Sequence, residues 1–228
     1  MKEYNSIPRL ADDGTLRGES VVAFNKLDGQ NFRARFMCKG LNKKTFTQFG
    51  SRHHLVDETD DQFGDAVRFF KEHYASVLKD IVANNSGKKQ IFNGAEEILF
   101  ILEWYGDHSF AGFHQPGDEM KMAVTDVFIH KKGYIEPKDF IKLFCEDDRV
   151  ETPDVVYSGT LNMDFVKSIE ENDWTKENAT YPNVKEGVVI KRSTRLPGQR
   201  LPMCKVKTKW WLDKLHRNFP EDKWKELE

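Results

Sequence analysis

Near the start of the chain, two short runs of apolar residues predict neighbouring β-strands, at residues 21–26 and 31–37. In the second run Phe32, Ala34 and Phe36 alternate with polar residues, which is the two-residue period of a strand with one buried face. The dipeptide Asp28-Gly29 between the runs is typical of a tight β-turn. The pattern therefore predicts a β-hairpin.

Between residues 60 and 84 the apolar residues return at steps of three and four, from Phe63 to Ile81. This period places them on one face of a helix. The polar run Asn84-Asn85-Ser86-Gly87 ends the pattern. One long amphipathic helix is predicted, and we expect its apolar stripe to be core.

The rest of the chain alternates between strand-like and helix-like patterns. A short helix begins at Pro137. Further elements are strands at residues 97–105, 122–130, 186–192 and 203–207, and helices near residues 163–170, 210–216 and 221–227. This order predicts an α+β domain with largely antiparallel sheets flanked by helices. We place one domain at residues 1–209 and a short basic and aromatic helical tail at residues 210–228.

The composition is that of a soluble, folded chain of 228 residues, 39% hydrophobic and 32% charged, with a formal net charge of -2. This length allows one large domain, or one domain with a small appendage. No run approaches the ~18 consecutive apolar residues of a membrane span, and the N-terminus lacks the apolar core of a signal peptide. We expect a cytoplasmic protein with no membrane partner. The three cysteines are too widely spaced to indicate a zinc site or a disulfide framework.

Charge is balanced over the whole chain but segregated within it. Residues 187–217 hold nine basic residues against Asp213 as the single acid. Such a segment suggests a polyanion, such as nucleic acid or a nucleotide phosphate, although charge alone is better explained by a solvated basic face. Trp210, Trp211 and His216 lie among these cations and favour nucleic acid, because aromatic faces can stack on bases. The basic residues are Lys191, Arg192, Arg195, Arg200, Lys205, Lys207, Lys209, Lys214 and Arg217.

Lys26 stands at the end of an apolar strand, two residues before the Asp28-Gly29 turn. This position is expected to be rigid and partly buried. A lysine is a nucleophile only when its amine is neutral, and burial or neighbouring cations can depress its pKa enough for that. On its own, this Lys-x-Asp-Gly pattern is equally well explained by a hairpin with a surface lysine.

Further segments follow this lysine in order. They are Ser51-Arg52, Leu102-Glu103-Trp104-Tyr105-Gly106, Val124-Thr125-Asp126-Val127, Glu186-Gly187-Val188-Val189-Ile190-Lys191 and Cys204-Lys205-Val206-Lys207. With Lys26-Leu27-Asp28-Gly29, this order resembles the covalent nucleotidyltransferase superfamily of ATP-dependent ligases and mRNA capping enzymes. The chain is most similar to the phage-type RNA ligase 2 family, because Asn31-Phe32 follows the glycine, where DNA ligases usually have an arginine in place of Asn31. The likeness spans residues 21–209.

The spacing of two lysines near the end of the likeness indicates a phosphate site. Lys205 and Lys207 are two residues apart in a predicted strand, so they project from one face while the intervening residue packs on the other. The two ammonium groups can therefore converge on one phosphate. By the same period Glu186 and Val188 share a face, and a strand-edge carboxylate near several lysines suits Mg²⁺.

The resemblance implies a reaction in three steps. Lys26 would attack the α-phosphate of ATP and form a lysyl-AMP phosphoramidate, with Lys205, Lys207 and a metal ion favouring its neutral form. AMP would then pass to a 5′-phosphate end of RNA, and a 3′-hydroxyl would displace it to seal the strand. Glu186 would hold the metal ion, Mg²⁺ or Mn²⁺. The implied catalytic residues are Lys26, Glu186, Lys205 and Lys207.

The resemblance also implies a wider set of nucleotide-binding residues. They are Lys26, Asn31, Arg52, Glu103, Glu186, Lys191, Lys205 and Lys207. A plainer explanation stands beside three of them: Asn31 as a turn residue, Arg52 as a solvated loop cation and Glu103 as a strand-end surface acid. Two alternatives stay open for the loop at residues 106–112: it covers the nucleotide pocket, or it only connects two elements of the fold. The spacing of the histidines does not indicate a metal site.

The sequence departs from the pattern of this family at two positions and at the end of the chain. Thr125 stands where the family usually has the aromatic residue that stacks on the purine, and Leu102 where it usually has glycine. Residues 208–228 are too few for a five-stranded OB barrel, and we expect the accessory C-terminal domain of RNA ligase 2 relatives to be absent or very short. We expect the tail to supply part of the nucleic-acid binding that such a C-terminal domain would provide. The residues expected to do so are Trp210, Trp211, Lys214 and Arg217.

The first interpretation is an ATP- and Mg²⁺-dependent RNA ligase that acts on 5′-phosphate and 3′-hydroxyl ends without an obligate protein partner. A compact DNA ligase and a guanylyltransferase are the alternatives among enzymes, and DNA or an RNA–DNA hybrid stays open as substrate. A catalytically silent nucleic-acid-binding relative is the alternative from another class. It is disfavoured because an inactive descendant has no chemical need for all four catalytic residues. The phage-type likeness leaves open a virus-encoded protein that acts in a host cytoplasm.

Overall fold

The computed structural model of the chain describes residues 1, 4, 6–12, 14–40, 44–106, 117–196, 198 and 201–227. Its strands are β1 (Ser20–Lys26), β2 (Gly29–Met37), β3 (Thr45–Gly50), β4 (Leu55–Val56), β5 (Glu97–Tyr105), β6 (Lys121–Ile129), β7 (Gly133–Tyr134), β8 (Val155–Thr160), β9 (Gly187–Arg192) and β10 (Met203–Lys207). Its α-helices are α1 (Gly64–Phe69), α2 (Ala75–Asn84), α3 (Pro137–Phe140), α4 (Met163–Glu170), α5 (Lys209–Asn218) and α6 (Glu221–Leu227).

The described strands form two antiparallel sheets. One has four strands in the order β10-β9-β1-β8, and the other has six in the order β4-β3-β2-β5-β6-β7. Helices flank both sheets, and the described strands build no OB barrel. The predicted α+β class with antiparallel sheets is therefore confirmed. None of the helices in the described part of the chain has the length and apolar character needed to span a bilayer.

The predicted β-hairpin is wrong. Leu27 and Asp28 connect β1 to β2, yet β1 pairs with β8 and β9, whereas β2 pairs with β3 and β5. Because both edges of β1 are occupied, the chain passes from one sheet into the other at this point. Gly29 serves close packing rather than a hairpin turn, because a Cβ added there would lie 2.5 Å from the carbonyl oxygen of Trp104.

Strand β1 is buried on both faces. Val22 and Phe24 pack in the larger core, with the six-stranded sheet and helices α1, α2 and α3. Val21 and Ala23 pack in the smaller core, against α4. A strand that is covered on both faces has a continuous apolar sequence rather than an alternating one. This burial holds the last residue of β1, Lys26, between the two sheets.

The predicted long helix is confirmed, with one irregularity. It begins at Gly64 and continues to Asn84, and a π-helical segment, Phe70–Tyr74, lies between α1 and α2. Its apolar stripe packs in the larger core, as expected. The short helix at Pro137 is also confirmed and likewise ends in a π-helical segment, Ile141–Cys145.

Candidate active site

The two sheets meet in a cleft at the point where β1 ends. Lys26 stands opposite Gly187 of β9, and Gly187 stands opposite Lys207 of β10. Directly opposed residues of neighbouring strands project from the same face. Because Gly187 has no side chain, the lysines on either side of it face a shared gap.

The carboxylate of Glu186 fills the gap between the two lysines. Its Oε2 accepts a hydrogen bond from Lys26 Nζ at 2.9 Å, and its Oε1 lies 3.0 Å from Lys207 Nζ. Burial of Glu186 favours the protonated form, but Lys26 and Lys207 outweigh it and hold the pKa of Glu186 below its ordinary value. The carboxylate is therefore ionised, and both lysine nitrogens contact it.

Gly187 turns Glu186 toward the lysines. Val188 is buried in the smaller core, on the opposite side of β9 from the cleft, so the expectation that Glu186 shares its face is wrong. The strand alternation is broken at Gly187, whose φ is 151°. A Cβ added to Gly187 would lie 2.1 Å from the carbonyl oxygen of Val206. Position 187 therefore requires glycine for both its conformation and its packing.

The three cleft lysines titrate differently. Burial disfavours the charged form of Lys26, but Glu186 and Glu103 raise its pKa above the ordinary value. Burial lowers the pKa of Lys207 to about 7 and that of Lys205 to about 8, and the charge of Lys26 contributes to both. Among the side chains alone the carboxylates outweigh burial, so the expectation that Lys205, Lys207 and a metal ion together favour neutral Lys26 stays a prediction. Lys26 is an ammonium group that must lose a proton before it can attack.

Trp211 of helix α5 forms the floor beneath Lys207. The Lys207 Nζ lies 3.3 Å from the centre of the indole ring, which is a close cation–π contact. Thr208 caps α5 by accepting a hydrogen bond from the Trp211 N–H at 3.1 Å, and its own hydroxyl donates to the Lys185 carbonyl at 2.8 Å. Trp211 is 1% exposed. The expectation that it contacts nucleic acid is therefore wrong, and the sequence did not indicate its place beside Lys207.

The six-stranded sheet contributes the other wall of the cleft. Asn31 of β2 and Glu103 of β5 stand directly opposite each other. Burial raises the pKa of Glu103 to about 7, while Lys26 lowers it and Glu186 raises it further. Arg52 follows β3 and lies exposed at the rim. Glu103 therefore changes charge near neutral pH, next to the lysine that ends β1.

The eight residues expected to bind the nucleotide surround one connected space. A cavity that is partly open to solvent lies between the sheets. Its lining includes Lys26, Asn31, Arg52, Glu103, Lys191 and Lys205. An adjoining cleft shares five of these residues and adds Glu186 and Lys207. The fold brings the predicted set together, and their roles stay a proposal.

Lys191 lies deeper than expected, in a buried ion pair that links the two sheets. Its Nζ is 3.1 Å from Asp126 Oδ2 on β6 and donates to the Thr125 carbonyl at 2.8 Å. The rings of Phe24 and Phe140 lie 5.1 and 5.2 Å from the same nitrogen. Burial raises the pKa of Asp126, and Lys191 opposes that shift. The Asp126–Lys191 pair thus has a structural role, because it links the two sheets at the back of the cavity. Asp126 was not among the predicted site residues.

Breaking this pair at one end should destabilise the fold. Asp126→Asn leaves the Lys191 ammonium buried without its counter-charge, so we expect the free energy of unfolding to fall by about 3–5 kcal/mol. Denaturant unfolding followed by far-UV circular dichroism measures the loss. The double variant Asp126→Leu with Lys191→Met removes both charges and should recover most of the stability. Equal stability of wild type and Asp126→Asn would contradict a structural role for the pair.

The cleft suits a metal ion that arrives with phosphates. In the described part of the chain, no three His, Cys, Asp or Glu side chains are placed to cage a metal ion. Mg²⁺ is usually bound through one or two carboxylates together with substrate phosphates. Glu186 is an ionised carboxylate that faces the cleft, and it fits this binding mode. The loop predicted at residues 106–112 lies outside the described residues from 107 onward.

Solved structures of RNA ligases share this fold. A mutant of the Naegleria gruberi RNA ligase with AMP and Mn matches with a TM-score of 0.64 at 15% sequence identity, and the Naegleria gruberi RNA ligase with PPi matches with a TM-score of 0.62 at 13% identity. Both matches cover 96% of this chain and 59% of the other, so the chain spans less than two thirds of these proteins. Two antiparallel sheets with a lysine-lined cleft between them define the fold class that the chain shares with these RNA ligases.

The sequence identifies the family within this class. The RNA ligase family model matches residues 19–207, from the residue before β1 to the end of β10. The chain therefore belongs to the RNA ligase family. No curated protein matches the sequence.

Proposed function

We propose that the chain is the nucleotidyltransferase domain of an ATP-dependent RNA ligase, with Lys26 as the residue that carries AMP. The observation that carries this proposal is the bridge in which one buried carboxylate, Glu186, holds both Lys26 and Lys207 at about 3 Å. The proposed nucleophile thus lies beside a second lysine that suits a phosphate, which supports the proposal. Membership of the RNA ligase family and the AMP in the structure of a relative support the same assignment.

In the first step the Lys26 amine attacks the α-phosphorus of ATP. A nitrogen–phosphorus bond forms, the bond to the bridging oxygen of pyrophosphate breaks, and Lys26 gives up a proton. Lys205 and Lys207 face the cleft and offset the charge that grows on the phosphate oxygens. A bound Mg²⁺ or Mn²⁺ would supply further positive charge at Glu186 and the phosphates.

Glu186 has a second task, which is to control the proton on Lys26. As long as its carboxylate contacts Lys26, the amine is protonated and inert. Glu186 would also be the residue that holds a metal ion bound with the triphosphate, and such an ion would supply positive charge beside Lys26. Without the full effect of the Glu186 carboxylate, burial would lower the pKa of Lys26 and favour its neutral, nucleophilic form.

In the later steps AMP moves from Lys26 to a 5′-phosphate of RNA, and a 3′-hydroxyl attacks that phosphate and displaces AMP. Asn31, Arg52 and Glu103 line the same cleft and are proposed to position the nucleotide and the strand end. The division into a domain at residues 1–209 and a tail at residues 210–228 stays a prediction. Helix α5 begins directly after β10 in the structure.

The proposal is tested by incubating the protein with α-labelled ATP or GTP and Mg²⁺, followed by denaturing electrophoresis. A label from ATP that transfers to 5′-phosphorylated RNA and seals it to a 3′-hydroxyl supports an RNA ligase. A label from GTP indicates a guanylyltransferase, and sealing of nicked DNA in preference to RNA indicates a DNA ligase. No label from either nucleotide would leave a nucleic-acid-binding relative.

The basic residues of helix α5 are proposed to hold RNA. Trp210 is half-buried, and Lys214 Nζ lies 5.2 Å from its ring centre. Reversing charge at Lys209, Lys214 and Arg217 together should weaken RNA binding at low salt by about 10-fold and flatten its salt dependence. Fluorescence anisotropy with a labelled single strand measures both effects. Lysyl-AMP formation needs no RNA and should persist.

A matched triple reversal tests whether the site matters or only the net charge. Lys79, Lys88 and Lys142 are exposed lysines on or near the helices that cover the six-stranded sheet. Reversing them changes net charge by the same amount as the α5 variant. Equal loss of RNA affinity in both variants would contradict a binding role for α5.

A further inference from the structure

The cavity between the sheets has one end at the proposed phosphate site and another end further along β9. Lys26 and Lys207 stand opposite Gly187, whereas Lys191 is four residues further along the same strand. At ~3.3 Å per residue these positions are about 13 Å apart. That distance leaves room for a nucleoside whose α-phosphate lies at Lys26. Its base would then lie at the Lys191 end.

The N-terminal segment is fastened to β10 beside this cavity. The Lys205 N–H donates to the Pro8 carbonyl at 2.8 Å, and the Leu10 N–H donates to the Lys205 carbonyl at 3.0 Å. The bridge between Arg9 and Lys205 is parallel, so the residues before Pro8 run past the first residue of β10, away from Lys207. Tyr4 therefore reaches the cavity at the end opposite the phosphate site, and it is among the lining residues.

Tyr4 brings an aromatic ring to this end of the cavity. Its ring packs edge-to-face with Tyr134, with the ring centres 6.2 Å apart and the planes at 72°. In such a contact at least one face of the Tyr4 ring is left uncovered by Tyr134. Burial and the nearby carboxylate of Asp126 raise the pKa of Tyr4, so its hydroxyl stays protonated. The ring is thus a neutral, partly buried surface beside the Asp126–Lys191 pair.

Two other candidates line this end of the cavity, and both are less suited than Tyr4 to contact a base. Phe24 also lines the cavity, but it is 3% exposed, its ring packs against Phe140, and Lys191 Nζ lies 5.1 Å from its centre. Thr125 has no ring, and its hydroxyl donates to the Ile101 carbonyl at 3.2 Å. Among the described lining residues at this end, Tyr4 is therefore the aromatic residue better placed to contact a planar base.

We infer that Tyr4 stacks on the base of the nucleotide bound in this cavity, and that the N-terminal segment is thereby one wall of the nucleotide site. The inference rests on the proposed nucleotidyl transfer, because it concerns the base of the same nucleotide. Stacking depends on the π-face and not on the hydroxyl. Tyr4→Phe should therefore behave like wild type, whereas Tyr4→Leu keeps an apolar side chain but removes the ring.

The test compares two ligands that differ by the base. Calorimetry measures the affinity of wild type, Tyr4→Phe and Tyr4→Leu for AMP and for ribose 5-phosphate. We expect Tyr4→Leu to weaken AMP binding by about 10-fold, within the range for aromatic stacking on a base. Ribose 5-phosphate affinity should change less than about twofold. In lysyl-AMP formation, Tyr4→Leu should raise KM for ATP with little change in kcat.

Each contrary result has a distinct meaning. Equal loss for AMP and ribose 5-phosphate would overturn stacking, because it shows that Tyr4 only supports the wall. Unchanged AMP affinity and KM in Tyr4→Leu, with a normal lysyl-AMP label, would overturn the inference and leave the proposed function standing. A wild-type protein that binds no AMP and forms no label would overturn both.

Discussion

Lys26→Met is expected to abolish the covalent label from α-labelled ATP, with a loss of at least ~10⁴-fold in the rate of lysyl-AMP formation, or about 5.5 kcal/mol. Methionine has similar length and bulk but no nitrogen, so no bond to phosphorus can form. Single-turnover incubation followed by denaturing electrophoresis measures the rate. The proposed chemistry requires this result because Lys26 Nζ is the atom that forms the bond to phosphorus. In the structure this nitrogen contacts Glu186 between the two sheets.

Two controls separate loss of the nucleophile from loss of the fold. Lys79→Met removes an exposed lysine from α2 and should label normally. Lys26→Met itself should still seal RNA that already carries AMP on its 5′-phosphate, because that step uses the 3′-hydroxyl as nucleophile. A persistent label in Lys26→Met would contradict the assignment of Lys26. Loss of both labelling and sealing would instead indicate that the cleft has collapsed.

The elements that the sequence predicts are those with a strong period or a long apolar run. The helix that ends at Asn84 follows a clear three- and four-residue spacing, and β5 is a continuous apolar run. Strand β8 was not predicted, because its residues are mostly half-buried or exposed and carry no alternation. Pairing was predicted least well, since Asp28-Gly29 has the local chemistry of a hairpin while the neighbours of β1 come from distant parts of the chain.

Prediction of the candidate site from sequence is limited in the same way, because contacts between distant residues are not visible in it. The order of the charged segments identifies residues such as Lys26 and Lys205, but it does not show which charges touch. The protonation of Lys26 depends on Glu186, which is 160 residues away in the sequence. The orientation of Glu186 depends in turn on the backbone of Gly187, which strand alternation does not describe. Asp126 and Trp211 act through contacts that exist only after the sheets and α5 have packed.

Glu186→Gln is expected to slow lysyl-AMP formation by about 10³-fold above pH 9, or about 4 kcal/mol, because the amide offers no negative charge to a metal ion. The same change should move the acid limb of the pH–rate profile to lower pH. Glu186 is the largest influence that raises the pKa of Lys26, and without it burial lowers that pKa. Single-turnover labelling between pH 6 and pH 10 measures both effects.

Because the pKa of Lys26 is lower in Glu186→Gln than in wild type, the loss in the rate of lysyl-AMP formation depends on pH. At low pH the wild-type Lys26 is mostly protonated and slow, whereas in the variant a larger fraction of the amine is neutral. The ratio of wild-type to variant rates should therefore narrow as pH falls. Glu103→Gln is the matched comparison, because Glu103 acts on Lys26 in the same direction but less strongly. The acid limb of the pH–rate profile of Glu103→Gln should move in the same direction by a smaller amount. If the rate of Glu186→Gln were lower than that of wild type by the same factor at every pH, Glu186 would not control the protonation of Lys26.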